Sequence, residues 1–581
     1  MLFLPGPAGA APQERKVLVV PVEFSNVGFT YDINKIEGFL NAGNFNFEDA
    51  DGSVSEYFSD QFGSSLRLEF CLAPVVTLSR ERAYYGGGNS LGEDSRPYEM
   101  VKEACGILDG ELDFSSFDND ATGLVQHLIF LYAGEDEALG GPSECLWSQC
   151  LSLKEHGGTV EFDGVAIDIF ACTSELGAEG KLSGIGRFCH ELLHTFGLPD
   201  FYDNYIPQEK AYYSAALWNF TSIMDGGWRN NGEHTPPALN AVERYLLGVG
   251  PETELQTGTT SLYPISEGGA YARLDCPEQG ECFLFECRRQ SQWDRFIGGE
   301  GMLVYHLDRT GREVGEHRGI KCSASTLWDF NLANIFPSHQ CIDLVEASGK
   351  SDRILRSHSI EANDLPDIFF PTGGKSFGPY TNPEFKSWYS GNLGLSVNQI
   401  STGSSGRIEI KVGEESTAID RMEVFQDAVI LDWTCKQGGL CKITLDSDVA
   451  APIVLPRKDF TYSYMLQGLE PGSTHEVTVT DSNGYSVKTT FTTRNFDGHS
   501  RPRILTDSFQ RDDQGFIKAG SRVCLRLENA PGEKVFWFAD NQPLVPDSDG
   551  RAVIERSVTL KAKIFRVDSQ TFTIIKELKV R

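Results

Sequence analysis

The chain has 581 residues, a formal net charge of −31 and 14 cysteines. That length predicts several domains, each able to bury a full core. The acidic balance argues against nucleic acid and anionic membrane surfaces as partners, and no apolar run reaches the roughly 20 residues of a membrane span.

Residues 1–15 read as a leader remnant or a disordered N-terminus. Met1–Ala11 lacks a basic start but ends in small residues, like a signal-peptide cleavage site. Lys16–Phe24 is a buried strand by pattern and opens an α/β domain over 16–252. Ser53 N-caps a helix running to Phe62, and Leu66–Phe70 alternates as an edge strand does. Leu124–Tyr132 is a second buried strand. Pro237 initiates a helix that Gly248 stops.

Beyond residue 252 the texture changes to short alternating runs between Gly, Pro, Asn and Asp, predicting a β-rich domain over 253–413. Glu414–Thr417 is a polar boundary. A sandwich over 416–496 carries Trp433 as core anchor. Its Leu469-Glu470-Pro471-Gly472 corner resembles that of fibronectin type III modules, with His475 in place of the usual Tyr. Runs such as Val535–Phe538 predict a second sandwich over 500–581.

The chemistry concentrates in His190-Glu191-Leu192-Leu193-His194-Thr195-Phe196-Gly197-Leu198-Pro199-Asp200, an H-E-x-x-H-x-x-G-x-x-D pattern. Two His at i and i+4 share one helix face, so both imidazoles can reach one zinc ion. Ile185, Phe188 or Cys189, Leu192 and Phe196 form the apolar stripe on another face. Glu191 is placed as general base rather than as ligand. Gly197 lets the chain leave the helix through a left-handed conformation, and Pro199 prevents continuation. The turn brings back Asp200 as third zinc ligand, with Asp203 as competitor. Three protein ligands leave one position for water or substrate.

Ser222-Ile223-Met224, downstream, looks like the Met-turn of metzincins, although no Tyr follows it. Tyr202, His234 and Tyr245 are the chemical candidates for oxyanion stabilisation. The cysteines include the close pairs Cys145/Cys150, Cys276/Cys282 and Cys435/Cys441, which predict disulfides in an exported protein; Cys189 reads as a buried apolar residue.

The zinc segment, from Gly184 to Asp203, resembles that of the immune inhibitor A-like metallopeptidases, secreted bacterial zinc proteases. Ser53–Leu68, Phe117–Gly123, Glu286–Gln290, Gly301–Asp308 and Cys341–Ala347 extend the resemblance over residues 16–410. It implies zinc on His190, His194 and Asp200, Glu191 as base, export, and structural calcium. Asp118 and Asp120 are the candidate calcium ligands, with an Asx-rich turn as the alternative; Gln126 stands where relatives tend to have another Asp. His306 and Asp308 share one face of a strand, where they serve either a structural hydrogen-bond pair or a second metal or substrate cleft.

The expected protein is a multidomain chain: an α/β metzincin-like zinc protease domain, then all-β domains. Its expected activity is hydrolysis of extracellular proteins or glycoproteins. The alternative is a surface adhesin or glycan-binding protein, contacting its target through the C-terminal modules, with an inactive or secondary protease domain.

Overall fold

The computed structural model describes residues 13–581 apart from 48–49, 89–93, 178–179, 204–219, 337, 350–367, 375, 379–380, 415–416, 426, 436–439, 455–460, 482–485, 495–502, 507–515, 529–533 and 566–570. Most of the leader segment, and residues 415–416 of the polar boundary, lie outside the described residues. The chain forms two compact units, the first essentially residues up to 413 and the second essentially 414–581.

In the first unit, a mixed sheet contains β1 (Gln13–Glu23), β2 (Leu66–Leu72), β3 (Leu128–Tyr132), β4 (Gln149–Ser152) and β5 (Ile169–Ser174), in the order β2-β1-β3-β5-β4. The first four of that order run parallel, and β4 is an antiparallel edge strand. β1 is apolar on both faces because both are covered. Val17 and Val19 enter one core with α1 (Ile33–Asn41) and α2 (Val54–Phe62). Leu18, Val20 and Val22 enter another, with α3 (Pro97–Leu108). Each such side chain contributes about 1.5–3 kcal/mol on burial. Ser53 caps α2 in a full capping box with Glu56.

The third helix of the first core is α4 (Ile185–Thr195), which carries the two histidines. Its predicted stripe is buried there, with both of the alternatives Phe188 and Cys189 inside beside Ile185, Leu192 and Phe196. Gly184 and Gly186 admit the turn that follows Trp228. A Cβ at Gly186 would lie 2.0 Å from the Trp228 carbonyl oxygen, and one at Gly184 2.2 Å from the Glu233 carbonyl carbon.

The helix expected to start at Pro237 starts later, as α5 (Ala241–Leu247). The amides of Ala238 and Leu239 are taken by Asp294 and Gln61, so the chain stays extended until Asn240 caps the helix.

A second sheet contains β6 (Glu252–Glu254), β7 (Tyr271–Asp275), β8 (Glu281–Arg288), β9 (Gly301–Asp308) and β10 (Ile342–Leu344), in the order β10-β9-β8-β7-β6. Its Leu284, Leu303, Tyr305 and Leu307 lie in the same core as α4. The stretches on either side of residue 252 therefore share one apolar interior. Side chains on the other face include Phe283, paired with His306, and Glu281, paired with Asp308. Among the described residues this β-rich part also contains the short α-helix α6 (Ala324–Asp329).

The second unit is all-β. Strands Thr417–Val424, Ala428–Cys435 and Thr461–Gln467 form one sheet, and four more between Cys441 and Thr492 form another. Trp433 is fully buried and stacks on Tyr462, ring centroids 5.3 Å apart, which makes it the expected anchor. His475 hydrogen-bonds Asp446 and Ser473. Strands between Arg503 and Leu578 form two further sheets around Leu560, Ala562 and Ile564.

The predicted disulfides are not formed: all 14 cysteines are free thiols. Spacing alone does not report which face a side chain takes. Cys282 enters the core shared with α4, whereas the Cys276 thiol turns to the opposite face, towards Glu281 and His306. Cys189 is buried inside α4.

Candidate active site

The C-terminal half of α4 points both imidazoles at one place. His190 donates through Nδ1 to the carbonyl of Ile223 at 2.7 Å, and His194 donates through Nδ1 to the carbonyl of Leu198 at 2.7 Å. These bonds fix the tautomer, so each ring in its neutral form presents a lone pair at Nε2. The rings lie 4.8 Å apart at 83° to each other. Gly197, at φ 88°, turns the chain out of the helix.

That turn returns Asp200. Its Oδ1 lies 3.5 Å from Nε2 of His190 and 3.3 Å from Nε2 of His194. Ligands at about 2.0–2.1 Å from a tetrahedral zinc are separated by about 3.3–3.4 Å. Oδ1 is buried without a hydrogen-bond partner, whereas Oδ2 accepts from Asn331 Nδ2 at 2.8 Å. A buried carboxylate oxygen left bare between two imidazole lone pairs fits a cation. The donor set of two imidazoles and one carboxylate fits zinc. Asp203 is buried just beyond, and it is Asp200 that bridges both histidines.

Glu191 lies on the same helix, with a carboxylate oxygen within 4.8 Å of the imidazole ligand atoms. Burial raises its pKa against the opposing pull of His190 and His194. For His194 burial favours the neutral ring, but the Asp200 charge prevails and lifts the pKa to about 9. The same histidines hold Asp200 well below the carboxylate range despite its burial.

Beneath the histidines runs the Ser222–Met224 turn, with Met224 fully buried. Glu243 secures it. Its Oε1 accepts from Ser222 Oγ at 2.6 Å and the Met224 amide at 3.2 Å, and its Oε2 accepts from the Asn240 amide at 2.7 Å.

Among the oxyanion candidates, Tyr202 is the one beside the ligands. Burial, then the Asp200 and Glu191 charges, push its phenol well above the usual range, so it stays a proton donor. Tyr245 sits under the Arg273 guanidinium instead, and the His234 backbone packs against the start of α4 at Gly184.

Three residues here escaped the sequence reading. Asn331 lies 131 positions from the carboxylate it holds and has no local signature. Trp228 lies beside His190, ring centroids 6.3 Å apart. Asp225 is buried with Oδ2 unpartnered, and burial outweighs the Gly226 backbone hydrogen bond to raise its pKa to about 7. Its place directly after Met224 was the available signal.

The candidate calcium ligands do not converge on a cation. Asp120 is paired with Arg15 through both oxygens, at 2.9 and 2.6 Å. Asp118 accepts from the amides of Thr122 and Gly123 and from Gln126, closing an Asx-type loop. The expected calcium site is therefore replaced by an ion pair and a turn. His306 and Asp308 bond Glu281 and His339, each at 2.7 Å.

This constellation defines a peptidase domain, and residues 39–246 match the family model of the immune inhibitor A peptidase M6 catalytic domain. No curated protein matches the chain. Solved structures with similar portions include tandem Ig repeats of Dlar, with 11% identity, 28% of this chain and 97% of that chain covered, and a TM-score of 0.14. Fibronectin(III)-like modules of Clostridium thermocellum CbhA give 10% identity, 28% and 94% coverage, and a TM-score of 0.11. Murine CEACAM1b gives 13% identity, 28% and 100% coverage, and a TM-score of 0.11. Likeness at these scores carries no functional argument.

Proposed function

We propose that the chain is a zinc-dependent endopeptidase of metzincin-like design that acts on proteins outside the cell. The observation that carries this reading is the unpartnered Oδ1 of Asp200, at tetrahedral edge distances from two lone-pair nitrogens. His190, His194 and Asp200 would hold the zinc. When bound, zinc supplies a Lewis acid for the scissile carbonyl and lowers the pKa of water towards about 7.

This chain's own groups do the rest. Glu191 takes the proton of the attacking water and delivers it to the leaving amine; its raised pKa suits it to both tasks. The Tyr202 phenol donates to the developing oxyanion. β4 is the last strand of its sheet, and the Glu191 and Asp200 charges reach Cys150 on it. An extended substrate adding to that edge would lie over the site with chain continuing on both sides, which favours internal cleavage. Export rests on the family resemblance. Among the described residues no helix is long and apolar enough to cross a membrane.

The test pairs metal analysis with casein hydrolysis before and after chelation. About one zinc at this site, with activity lost on chelation and restored by zinc, is the expected result. Glu191→Gln should keep that zinc and lose at least about 10²-fold in kcat. Near wild-type hydrolysis by this variant at equal metal content would refute the mechanism.

A further inference from the structure

On the far face of the second sheet, Cys276, Glu281 and His306 each turn one ligand atom to a common point, all within 4.8 Å of one another. We propose that they form a second metal site, for a zinc-class divalent cation, independent of the peptidase centre.

All three side chains are buried: relative exposures are 7% for Cys276, 1% for Glu281 and 5% for His306. The Cys276 thiol has no hydrogen-bond partner among the described residues, though its own amide closes the 276–281 turn on the Glu281 carbonyl at 2.9 Å. The other two ligands are already oriented as metal ligands usually are. Glu281 accepts from Ser387 Oγ at 2.7 Å and the Trp388 amide at 2.6 Å. The His306 ring is held between Phe283, centroids 4.0 Å apart at 14°, and Trp388, 5.6 Å apart at 8°.

Charge balance favours the same occupant. Without metal, one proton stands between His306 Nε2 and Glu281 Oε1, 2.7 Å apart, and another stays on the thiol. A divalent cation on Nε2 shifts the ring proton to Nδ1 and displaces the thiol proton to solvent. Its two positive charges then match one thiolate and one carboxylate beside a neutral imidazole, so the buried site is electrically neutral. A sulfur, nitrogen and oxygen donor set selects zinc, cobalt or nickel over calcium or magnesium. The cation would fasten the 276–281 turn to β9, making the cross-link that Cys276 does not make with Cys282.

The experiment is Co²⁺ loading of the metal-free full-length protein, followed by absorption. The peptidase centre offers only nitrogen and oxygen, so a near-ultraviolet sulfur-to-cobalt charge-transfer band reports the second site alone. The band should appear in wild type and in His190→Ala/His194→Ala, persist in Cys150→Ser, and vanish in Cys276→Ser with loss of one bound cobalt. Glu281→Gln should weaken cobalt binding about 10- to 100-fold and provides the comparison if Cys276→Ser does not fold. No band in wild type, or a band that survives Cys276→Ser, overturns the proposal. Failure of the peptidase reading would leave the band untouched.

Discussion

Asn331 holds Asp200 at both ends: its Nδ2 donates to Oδ2 at 2.8 Å, and its Oδ1 accepts from the Asp200 amide at 2.7 Å. The proposed third ligand is thus aimed by a residue that follows α6, in the part of the chain that supplies the second sheet. Removing the amide frees the carboxylate to rotate. Asn331 has φ 56°, so Asn331→Gly removes the side chain without straining the backbone. Zinc affinity, measured by competition with a chromophoric chelator, should fall about 10- to 100-fold. Unchanged affinity would show that Asp200 needs no such support.

Tyr202→Phe removes a hydroxyl whose proton is held by burial and by the charges of Asp200 and Glu191. The expected loss is about 10²- to 10³-fold in kcat, with little change in KM or zinc content. An equal fall in kcat/KM through KM alone would assign the hydroxyl to substrate binding.

Arg187 is fully buried on α4 and paired with Asp136 and Glu233, the latter at 3.3 Å. Arg187→Met leaves two buried carboxylates without their cation. The cost should be about 3–5 kcal/mol, read as a lower denaturant midpoint. A change below about 1 kcal/mol would mean that both carboxylates are protonated or hydrated in the variant.

Asp94 supplies a pH dependence away from the proposed metal centres. Burial, against hydrogen bonds from the Trp147 amide and Gln149, raises its pKa to about 7. The folded state therefore binds this proton more tightly than the unfolded chain. Its contribution to stability is full below about pH 4 and is lost as pH rises to about 7. Asp94→Asn should be more stable than wild type at pH 8, by about 1–2 kcal/mol given partial solvent screening, and equal to it near pH 3. Melting curves of both proteins across that range decide it; a difference independent of pH would exclude Asp94 as the titrating group.

The centre of the site was legible because its information is local. Helical spacing sets His190 beside His194, and Gly197 and Pro199 mark the turn that returns Asp200. Trp433 was legible for a similar reason, as a large apolar residue in an alternating strand. Asn331 was not, because a hydrogen bond across 131 residues leaves no periodicity. The Asp118 loop and the Cys276/Cys282 pair show the opposite failure: suitable residue types at suitable spacing, with side chains turned elsewhere. Pro237 announced a helix that the side chains of Asp294 and Gln61 postpone.

The interior shared across residue 252 also sets an order of events during synthesis. A nascent chain extended from α4 to just past Asp200 carries every residue of the H-E-x-x-H-x-x-G-x-x-D motif, yet the Asp200 carboxylate has nothing to hold it. The apolar side of that helix still waits for Leu284, Leu303 and Tyr305. Asn331 emerges from the ribosome only after another 131 residues. Until then the chain has the motif without the finished arrangement, through more than half of its synthesis.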